Sequence, residues 1–206
     1  MSDEYEHDHE QGHDSPGHSE HDHDHDHNHD HDQDHALIVD RLPEGAWEVD
    51  HDGSAVQFKA RGLFGLLPVA GVFERFSGEL TVGADGAARG RLVVETASIN
   101  TGIRRRDTDL RSRAYFDAAN APEMTFTLER LDPSGSDHLN AIGTLGIRQV
   151  TIPLSFPVQA IAHGDHLHLE GNVIIDHAAA GLRWAKPGMV TKTARAEVAL
   201  TLTRAS

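Results

Sequence analysis

The chain contains no cysteine, which excludes disulfide bonds, thiolate metal ligands and cysteine nucleophiles. It also lacks any apolar run long enough to cross a bilayer, so we expect no transmembrane segment. The N-terminus has neither the basic start nor the apolar stretch that a secretory signal carries. The missing secretory signal predicts a cytoplasmic protein, whereas the absence of cysteine is compatible with either redox compartment.

Lysine and arginine are missing from the first 35 residues, which instead hold eleven histidines and thirteen acidic residues. Apolar residues do not recur there with a period near two or 3.6, so burial cannot offset the backbone entropy lost on folding. We predict a disordered tail over residues 1–35. The tail holds 13 of the 33 acidic residues, which leaves 20 acidic against 18 basic residues in the body. A nearly neutral body predicts no binding to nucleic acid or to an anionic membrane.

The densest part of the tail, residues 21–31, places an imidazole at every second position. Imidazole is a good ligand for Zn, Ni, Cu and Co, and neighbouring carboxylates can add to it. We therefore predict a multi-site, low-specificity segment for divalent metal ions, with no obligatory cofactor. A solvating acidic tail with pH-sensitive charge is the alternative. The predicted ligands are His7, His9, His13, His18, His21, His23, His25, His27, His29, His31 and His35.

Catalytic motifs are scarce in this chain. The tail sequence His9-Glu10-Gln11-Gly12-His13 matches the HExxH pattern of zinc proteases, which requires a helix. Gly12 and Pro16 lie in sequence with no apolar face, so we assign this match no catalytic role. The body has no nucleophile elbow, no phosphate-binding glycine loop and no histidine–carboxylate set at metal spacing. We predict that the protein is not an enzyme.

Strict alternation of apolar and polar residues dominates the body, residues 45–206, which follows a predicted linker or short docking segment at 36–44. Each alternating stretch predicts a strand with one apolar face, and turn signals such as Ala84-Asp85-Gly86 separate the stretches. We predict an all-β, antiparallel, eight-stranded barrel, a size that either fills with side chains or holds one small ligand. The eight stretches begin at Val56, Phe76, Leu92, Met124, Leu139, Ile152, Leu167 and Ala196.

Two places interrupt the alternation. Better helix formers between Ile103 and Asn120 predict a short helix or two that cover one end of the barrel. The parity slips between Phe73 and Phe76, which predicts a bend or bulge at Glu74-Arg75.

Three polar groups in the body have both a functional and an ordinary explanation. The sequence Asp165-His166-Leu167-His168 sets two imidazoles on one strand face, where a solvated outer face is favoured over a surface metal site. Asp107, which follows three arginines, is better explained as a helix-start acid with ion pairs than as a functional group. For Asp176-His177 near Trp184 a buried polar network is favoured.

Several ordered blocks between Trp47 and Leu202 resemble the YceI-like family. The opening Trp47-Glu48-Val49-Asp50 with Ser54-Ala55-Val56-Gln57-Phe58 is similar to the family's W-x-V-D-x-x-H-S-x-V-x-F start. The most specific stretch begins at Ala97-Ser98-Ile99-Asn100-Thr101-Gly102. Further matching blocks are Gly71-Val72-Phe73, Phe76-Ser77-Gly78, Arg106-Asp107, Leu110-Arg111-Ser112, Phe116-Asp117, Gly143-Thr144-Leu145 and Val150-Thr151-Ile152-Pro153.

This resemblance implies a lipocalin-like antiparallel β-barrel, closed by a helical segment, with a long apolar cavity. In some members of the family the cavity holds a polyisoprenoid or a related amphiphile, and the family is generally one of binding proteins. The sequence departs from the family pattern at Gly53, where a His is expected, at Asp109 and Gln149, and at His177, near where an Arg is usual. If these positions contact the head group of a ligand, we expect that head group to differ from the one that other family members bind.

The inward-facing series predicts the wall of the cavity, with a packed core as the alternative for each residue. The apolar, glycine-bracketed segment 62–68 is predicted to be a lid or portal at the cavity mouth. An isoprenoid chain gains about 0.8 kcal/mol for each buried methylene, which favours tight binding. The predicted cavity residues are Phe58, Phe64, Leu66, Phe76, Met124, Phe126, Phe156 and Val173.

Two functions fit these observations. The first is non-enzymatic binding or sequestration of an isoprenoid-like or other amphiphilic lipid, by a protein whose tail also binds divalent transition metals. The second is metal storage or delivery, with the barrel as a scaffold or partner-binding module. An enzyme acting on a bound lipid is a weaker third, because no catalytic set is visible. The sequence leaves open whether the protein forms a homodimer.

Overall fold

The structure is a computed structural model that describes residues 37–38, 41–62, 67–135, 138–178 and 192–205. The predicted tail with its eleven histidine ligands lies outside these residues, as do Phe64 and Leu66 of the predicted cavity and Trp184. Within the described ranges, no helix is long and apolar enough to span a bilayer.

The described residues form eleven strands, one α-helix and a 3-10 turn at Thr96–Ser98. The helix α1 spans Arg104–Arg111. The strands are β1 (Leu37–Ile38), β2 (Gly45–Gly62), β3 (Leu67–Phe73), β4 (Phe76–Val82), β5 (Ala88–Glu95), β6 (Ile99–Asn100), β7 (Glu123–Pro133), β8 (Leu139–Ile147), β9 (Val150–His163), β10 (His166–Asp176) and β11 (Thr193–Arg204).

Eight of these strands close a barrel. The order is β2, β4, β5, β7, β8, β9, β10 and β11, and β11 pairs again with β2 to complete the ring. Every neighbouring pair is antiparallel. The eight strands contain the eight alternating stretches of the sequence, so the predicted all-β class and the antiparallel eight-stranded barrel are confirmed. Because side chains alternate along a strand, the apolar set of each strand faces the interior.

Strand β2 is long because it has different partners along its length. Its first residues pair with β4 from Gly45 to Glu48, and its last residues pair with β3 from Val56 to Gly62. Between them the register with β11 shifts at Ala199/Thr201, as expected for an irregular bend in one strand.

The parity slip between Phe73 and Phe76 has a different cause from the predicted bulge. Phe73 ends β3 and Phe76 begins β4, and these two strands pair with different halves of β2 and not with each other. The slip therefore marks a change of strand. The bend at Glu74 is present, since Glu74 and Arg75 stand between the two strands.

Helix α1 lies in the predicted helical region. Leu110 and Phe116 pack against the buried cluster of Val56, Phe73, Val94 and Ile99, which fixes the inner face of this segment. Buried Asp107 accepts hydrogen bonds from the backbone N–H and the hydroxyl of Thr101, and Arg111 donates to the carbonyl of Ile99 at 2.7 Å. Asp107 thus ties the helix to its preceding loop, where an ion pair was predicted.

The two ends of the barrel are filled differently. At one end of the barrel, β5, β8 and β10 finish and β7, β9 and β11 begin. We name it the helix end, because Phe116, which follows α1, packs there against Ile147 and Ile152. We call the opposite end the Trp47 end, and a cluster of fully or largely buried side chains fills it. This cluster consists of Leu42, Trp47, Leu80, Val82, Ala88, Leu139, Ala160, Leu167 and Leu202.

The segment that precedes the barrel also contacts it at the Trp47 end. Leu37 and Ile38 pair with Ala162 and Ile161 of β9. Leu42 is 6% exposed and belongs to the buried cluster. Part of the segment predicted as a linker or docking segment is thus packed on the barrel.

Candidate ligand-binding cavity

A cavity of about 240 Å³ lies inside the barrel, and all eight barrel strands contribute side chains to its wall. The volume is close to the lower limit of small-molecule pockets, which is about 300 Å³. The alternation of the strands produces this wall, because every second side chain points inward. Members from facing parts of the wall include Val49, Leu92, Leu128, Leu145, Leu169 and Val198.

Five of the predicted wall residues line this cavity, namely Phe58, Met124, Phe126, Phe156 and Val173. Three of them are phenylalanines whose rings make aromatic contacts. The ring centroids of Phe126 and Phe156 are 5.5 Å apart, and those of Phe58 and Phe73 are 5.7 Å apart. These are the spacings of favourable tilted aromatic pairs.

Phe76 lies elsewhere. Its ring stacks on the imidazole of His51 with centroids 4.8 Å apart, and His51 in turn bonds the carbonyl oxygen of Glu74 at 2.8 Å. Phe76 still packs against the cluster of Val56, Phe73, Val94 and Ile99, but it is not part of the cavity wall. As the first residue of β4, it stands beside the irregular part of β2, and alternation alone does not show this.

Phe116 is a wall residue that the sequence pattern missed. It follows α1, and its ring meets Phe73 edge to face at a centroid distance of 5.8 Å. The backbone N–H of Phe116 donates to Leu110 at 3.0 Å, and Arg148 donates to the neighbouring Tyr115 carbonyl at 3.1 Å. A non-periodic loop gives no inward or outward signal, so only the tertiary packing identifies Phe116.

The wall contains few polar side chains. Gln57, Glu79, Arg91 and Arg195 are exposed to solvent, whereas His177 is only 5% exposed. His177 follows directly after β10 and so stands at the helix end. Among the described wall residues, it is the buried polar group. A buried imidazole can donate or accept a hydrogen bond, which suits it to contact with a polar head group.

Burial also affects Tyr115, the neighbour of Phe116. Its pKa is raised above the ordinary value, first by burial and then by the negative charge of Asp109. The phenol therefore remains neutral at physiological pH. The side of this segment that faces the barrel is accordingly uncharged at both Tyr115 and Phe116.

Metal ligands do not cluster in the part of the chain that the structure describes: no three His, Asp or Glu side chains there are placed to share an ion. His166 and His168 are exposed on either side of the buried Leu167. The His168 Nδ1 lies 3.0 Å from the Thr201 hydroxyl, which places it in a hydrogen bond between strands.

Gly53, which replaces the expected family His, lies against the same threonine. A Cβ atom at Gly53 would stand 2.8 Å from the Thr201 hydroxyl oxygen, so a larger side chain requires Thr201 to move. The Thr201 hydroxyl donates to the Gly53 carbonyl at 2.7 Å. The glycine that replaces the family His therefore packs against Thr201, outside the cavity wall.

The chain is similar in sequence to known bacterial proteins. Protein YceI of Escherichia coli O157:H7 is 29% identical over 123 residues, covering 58% of this chain and 63% of its own length. The chain thus aligns with somewhat less than two thirds of that relative. A Shewanella baltica (strain OS185) protein is also 29% identical, over 56% of this chain and 62% of its own length.

Solved structures share the fold at lower sequence identity. BcnA of Burkholderia cenocepacia superposes with a TM-score of 0.67 at 22% identity, covering 74% of this chain and 98% of that one. A polyisoprenoid-binding domain from Saccharophagus degradans, implicated in plant cell wall breakdown, gives 0.62 at 16% identity, with 77% and 98% coverage. The family model for the YceI-like domain matches residues 47–203, nearly the whole barrel. The chain therefore belongs to the YceI-like family.

Proposed function

We propose that the barrel binds and sequesters an isoprenoid-like or other amphiphilic lipid without altering it chemically. The observation that carries this proposal is the interior cavity, whose wall is built from apolar side chains of all eight strands. Transfer of an apolar chain from water into such a wall contributes about 0.8 kcal/mol per buried methylene. The polyisoprenoid-binding domain of Saccharophagus degradans, which has the same fold, supports this ligand class.

The two ends of the barrel favour one orientation of the ligand. The Trp47 end is filled by the buried cluster around Trp47 and Leu167, which are 1% and 0% exposed. The helix end carries the buried imidazole of His177 beside the cavity. A ligand with a polar head therefore places its apolar tail toward Trp47 and its head near His177.

Organic extraction of the purified full-length protein, followed by mass spectrometry, tests this function. We expect a co-purifying amphiphile with a long apolar chain. We also expect the protein stripped of lipid to bind geranylgeraniol in a titration. Absence of any extracted lipid, together with no saturable binding of geranylgeraniol or of a fluorescent polyene fatty acid, would contradict the proposal.

We further propose that the tail binds divalent transition metals, so that a metal function accompanies the barrel. Its support is the sequence of residues 21–31, in which histidines alternate with aspartates and one asparagine. Metal storage or delivery by the tail, with the barrel as a scaffold, is the second candidate function. It would replace the first if no lipid binds.

A calorimetric titration of Zn²⁺ and Ni²⁺ tests the tail. Replacing the six histidines of residues 21–31 with serine is expected to remove most of the bound metal, because neutral imidazole supplies the ligands. Acidification below the histidine pKa of about 6.5 should release metal from the unaltered protein. The single variant His166→Ser, which removes an exposed histidine of the barrel, is the control outside the tail. Equal metal uptake by the six-fold variant and by the control would contradict a role for the tail.

A further inference from the structure

Three exposed arginines on or just after α1 have no partner among the residues that the structure describes. Arg104, Arg105 and, just after the helix, Arg113 are exposed, and none of them pairs with an acid or a carbonyl within the described part of the chain. Arg106 and Arg111 differ, since they donate to Thr101 and to Ile99. We name Ile103, Arg104, Arg105 and Arg113 the arginine face.

The helical repeat explains why Arg105 faces outward. Successive residues of a helix are about 100° apart, so Arg105 lies opposite the side that carries Leu110 and Asp107, whereas Arg104 lies at its edge, about 60° from Asp107. Leu110 packs on the core and Asp107 is buried. Asp109 shares the outer side with the arginines and lowers their local charge, but it also interacts with Tyr115.

One exposed apolar side chain, Ile103, directly adjoins these cations. Among the described residues the large hydrophobic side chains that are exposed are Val72, Ile103 and Ile174, at 38%, 52% and 64%. Ile103 directly precedes α1, and Val72 pairs with Asn100 of β6, three residues before Ile103. Ile174 lies on β10 in register with Arg195 of β11, and it is not part of the arginine face. An exposed isoleucine directly before unpaired arginines matches the composition of surfaces that bind membranes.

The same segment contacts the cavity on its other side. Phe116, five residues after Arg111, lines the cavity and packs against Ile147 and Ile152. If the arginine face binds a bilayer, Phe116 and the helix end of the cavity therefore lie next to that bilayer. At the Trp47 end the buried cluster fills the barrel between the cavity and solvent.

We infer that the arginine face docks the helix end of the barrel on an anionic lipid bilayer, so that lipid is exchanged beside Phe116. This inference rests on the proposed lipid binding and extends it to the place where the ligand enters and leaves. The guanidinium groups meet anionic head groups, while Ile103 enters the interfacial region. The formal net charge of −15 opposes general adsorption to such a bilayer, so any attachment must come from a local cationic surface.

Vesicle flotation with the full-length protein tests the inference. The vesicles contain phosphatidylcholine, alone or mixed in equal parts with phosphatidylglycerol, and the buffer is of low ionic strength, because salt screens exposed charges. We expect binding to the anionic vesicles only. Each arginine near an anionic surface strengthens binding several-fold. Arg104→Gln/Arg105→Gln is therefore expected to weaken vesicle binding about tenfold to thirtyfold. Ile103→Ser should weaken it further.

The matched control is Arg89→Gln/Arg130→Gln, which removes the same charge from exposed positions on β5 and β7. It is expected to bind the anionic vesicles as the unaltered protein does. All variants are also titrated with geranylgeraniol in solution, where equal affinity is expected. Equal vesicle binding by the two double variants would overturn the inference. Arginine-dependent binding to a DNA duplex without vesicle binding would do the same. Loss of geranylgeraniol binding in every protein would instead contradict the proposed function.

Discussion

Trp47→Ala is expected to lower the free energy of unfolding by about 3–5 kcal/mol, the cost of removing a large buried aromatic side chain. Trp47 is 1% exposed and belongs to the cluster that fills one end of the barrel. Its indole N–H donates to the Pro43 carbonyl at 3.3 Å, and the Arg204 guanidinium lies 4.7 Å from its ring. The substitution removes all of these contacts and leaves a void between Leu42 and the strands.

Urea unfolding followed by circular dichroism measures this loss as a lower midpoint with an unchanged slope. Ile174→Ala provides a smaller truncation on the outside of the barrel, where the side chain is 64% exposed, and it is expected to change stability by less than about 0.5 kcal/mol. Arg204→Gln separates the cation–π contact from the packing and is expected to cost about 1 kcal/mol or less. Equal midpoints for Trp47→Ala and Ile174→Ala would contradict the contribution of Trp47 to the stability of this cluster.

The eight barrel strands were predictable from sequence because alternation is a local signal. A strand with one face toward an apolar interior and one toward water must repeat every two residues, and in Leu139–Ile147 every second residue from Leu139 is apolar or glycine. Strands β1, β3 and β6 give no such signal. β3, Leu67–Phe73, is as long as β4, but it consists of apolar residues, glycine and proline without alternation. Leu37–Ile38 and Ile99–Asn100 are too short to show a period, and their pairing with β9 and β3 depends on contacts distant in sequence.

The irregular part of β2 shows where local patterns stop being informative. Residues 50–54 are polar or glycine, yet they continue a strand because Ser54 and Thr201 bond across the register shift with β11. The same bend brings His51 onto Phe76. Alternation placed Phe76 on the apolar side of β4, which is where it lies, but could not distinguish a cavity wall from a packed contact.

The net charge of the body also differs from the local charge near α1. The near balance of acidic and basic residues in the body gave no reason to expect an anionic membrane as partner. That balance conceals the distribution, because Arg104, Arg105 and Arg113 fall within ten residues and remain exposed without partners in the described structure. Net charge governs long-range attraction, whereas docking depends on charges within about a Debye length of the contact. The fold is required to show which arginines are held by Thr101 or Ile99 and which face solvent.

Leu145→Trp is expected to reduce lipid affinity about a hundredfold, because the larger ring occupies the space of the apolar chain. Leu145 lies on β8, lines the cavity and packs against Ile147 and Ile152. Displacing about four methylenes from the wall removes about 3 kcal/mol of transfer free energy, and each 1.4 kcal/mol corresponds to about tenfold in affinity.

The adjacent Thr144→Trp is the matched control, because its side chain points to the opposite face of the same strand. It adds the same indole ring outside the barrel and is expected to leave the affinity for geranylgeraniol unchanged. Overpacking by Leu145→Trp can cost about 1–3 kcal/mol of stability, so urea unfolding is measured alongside binding. Val173→Phe, on β10 of the same wall, provides a second inward variant. Unchanged affinity in both folded inward variants would show that the ligand does not occupy this cavity.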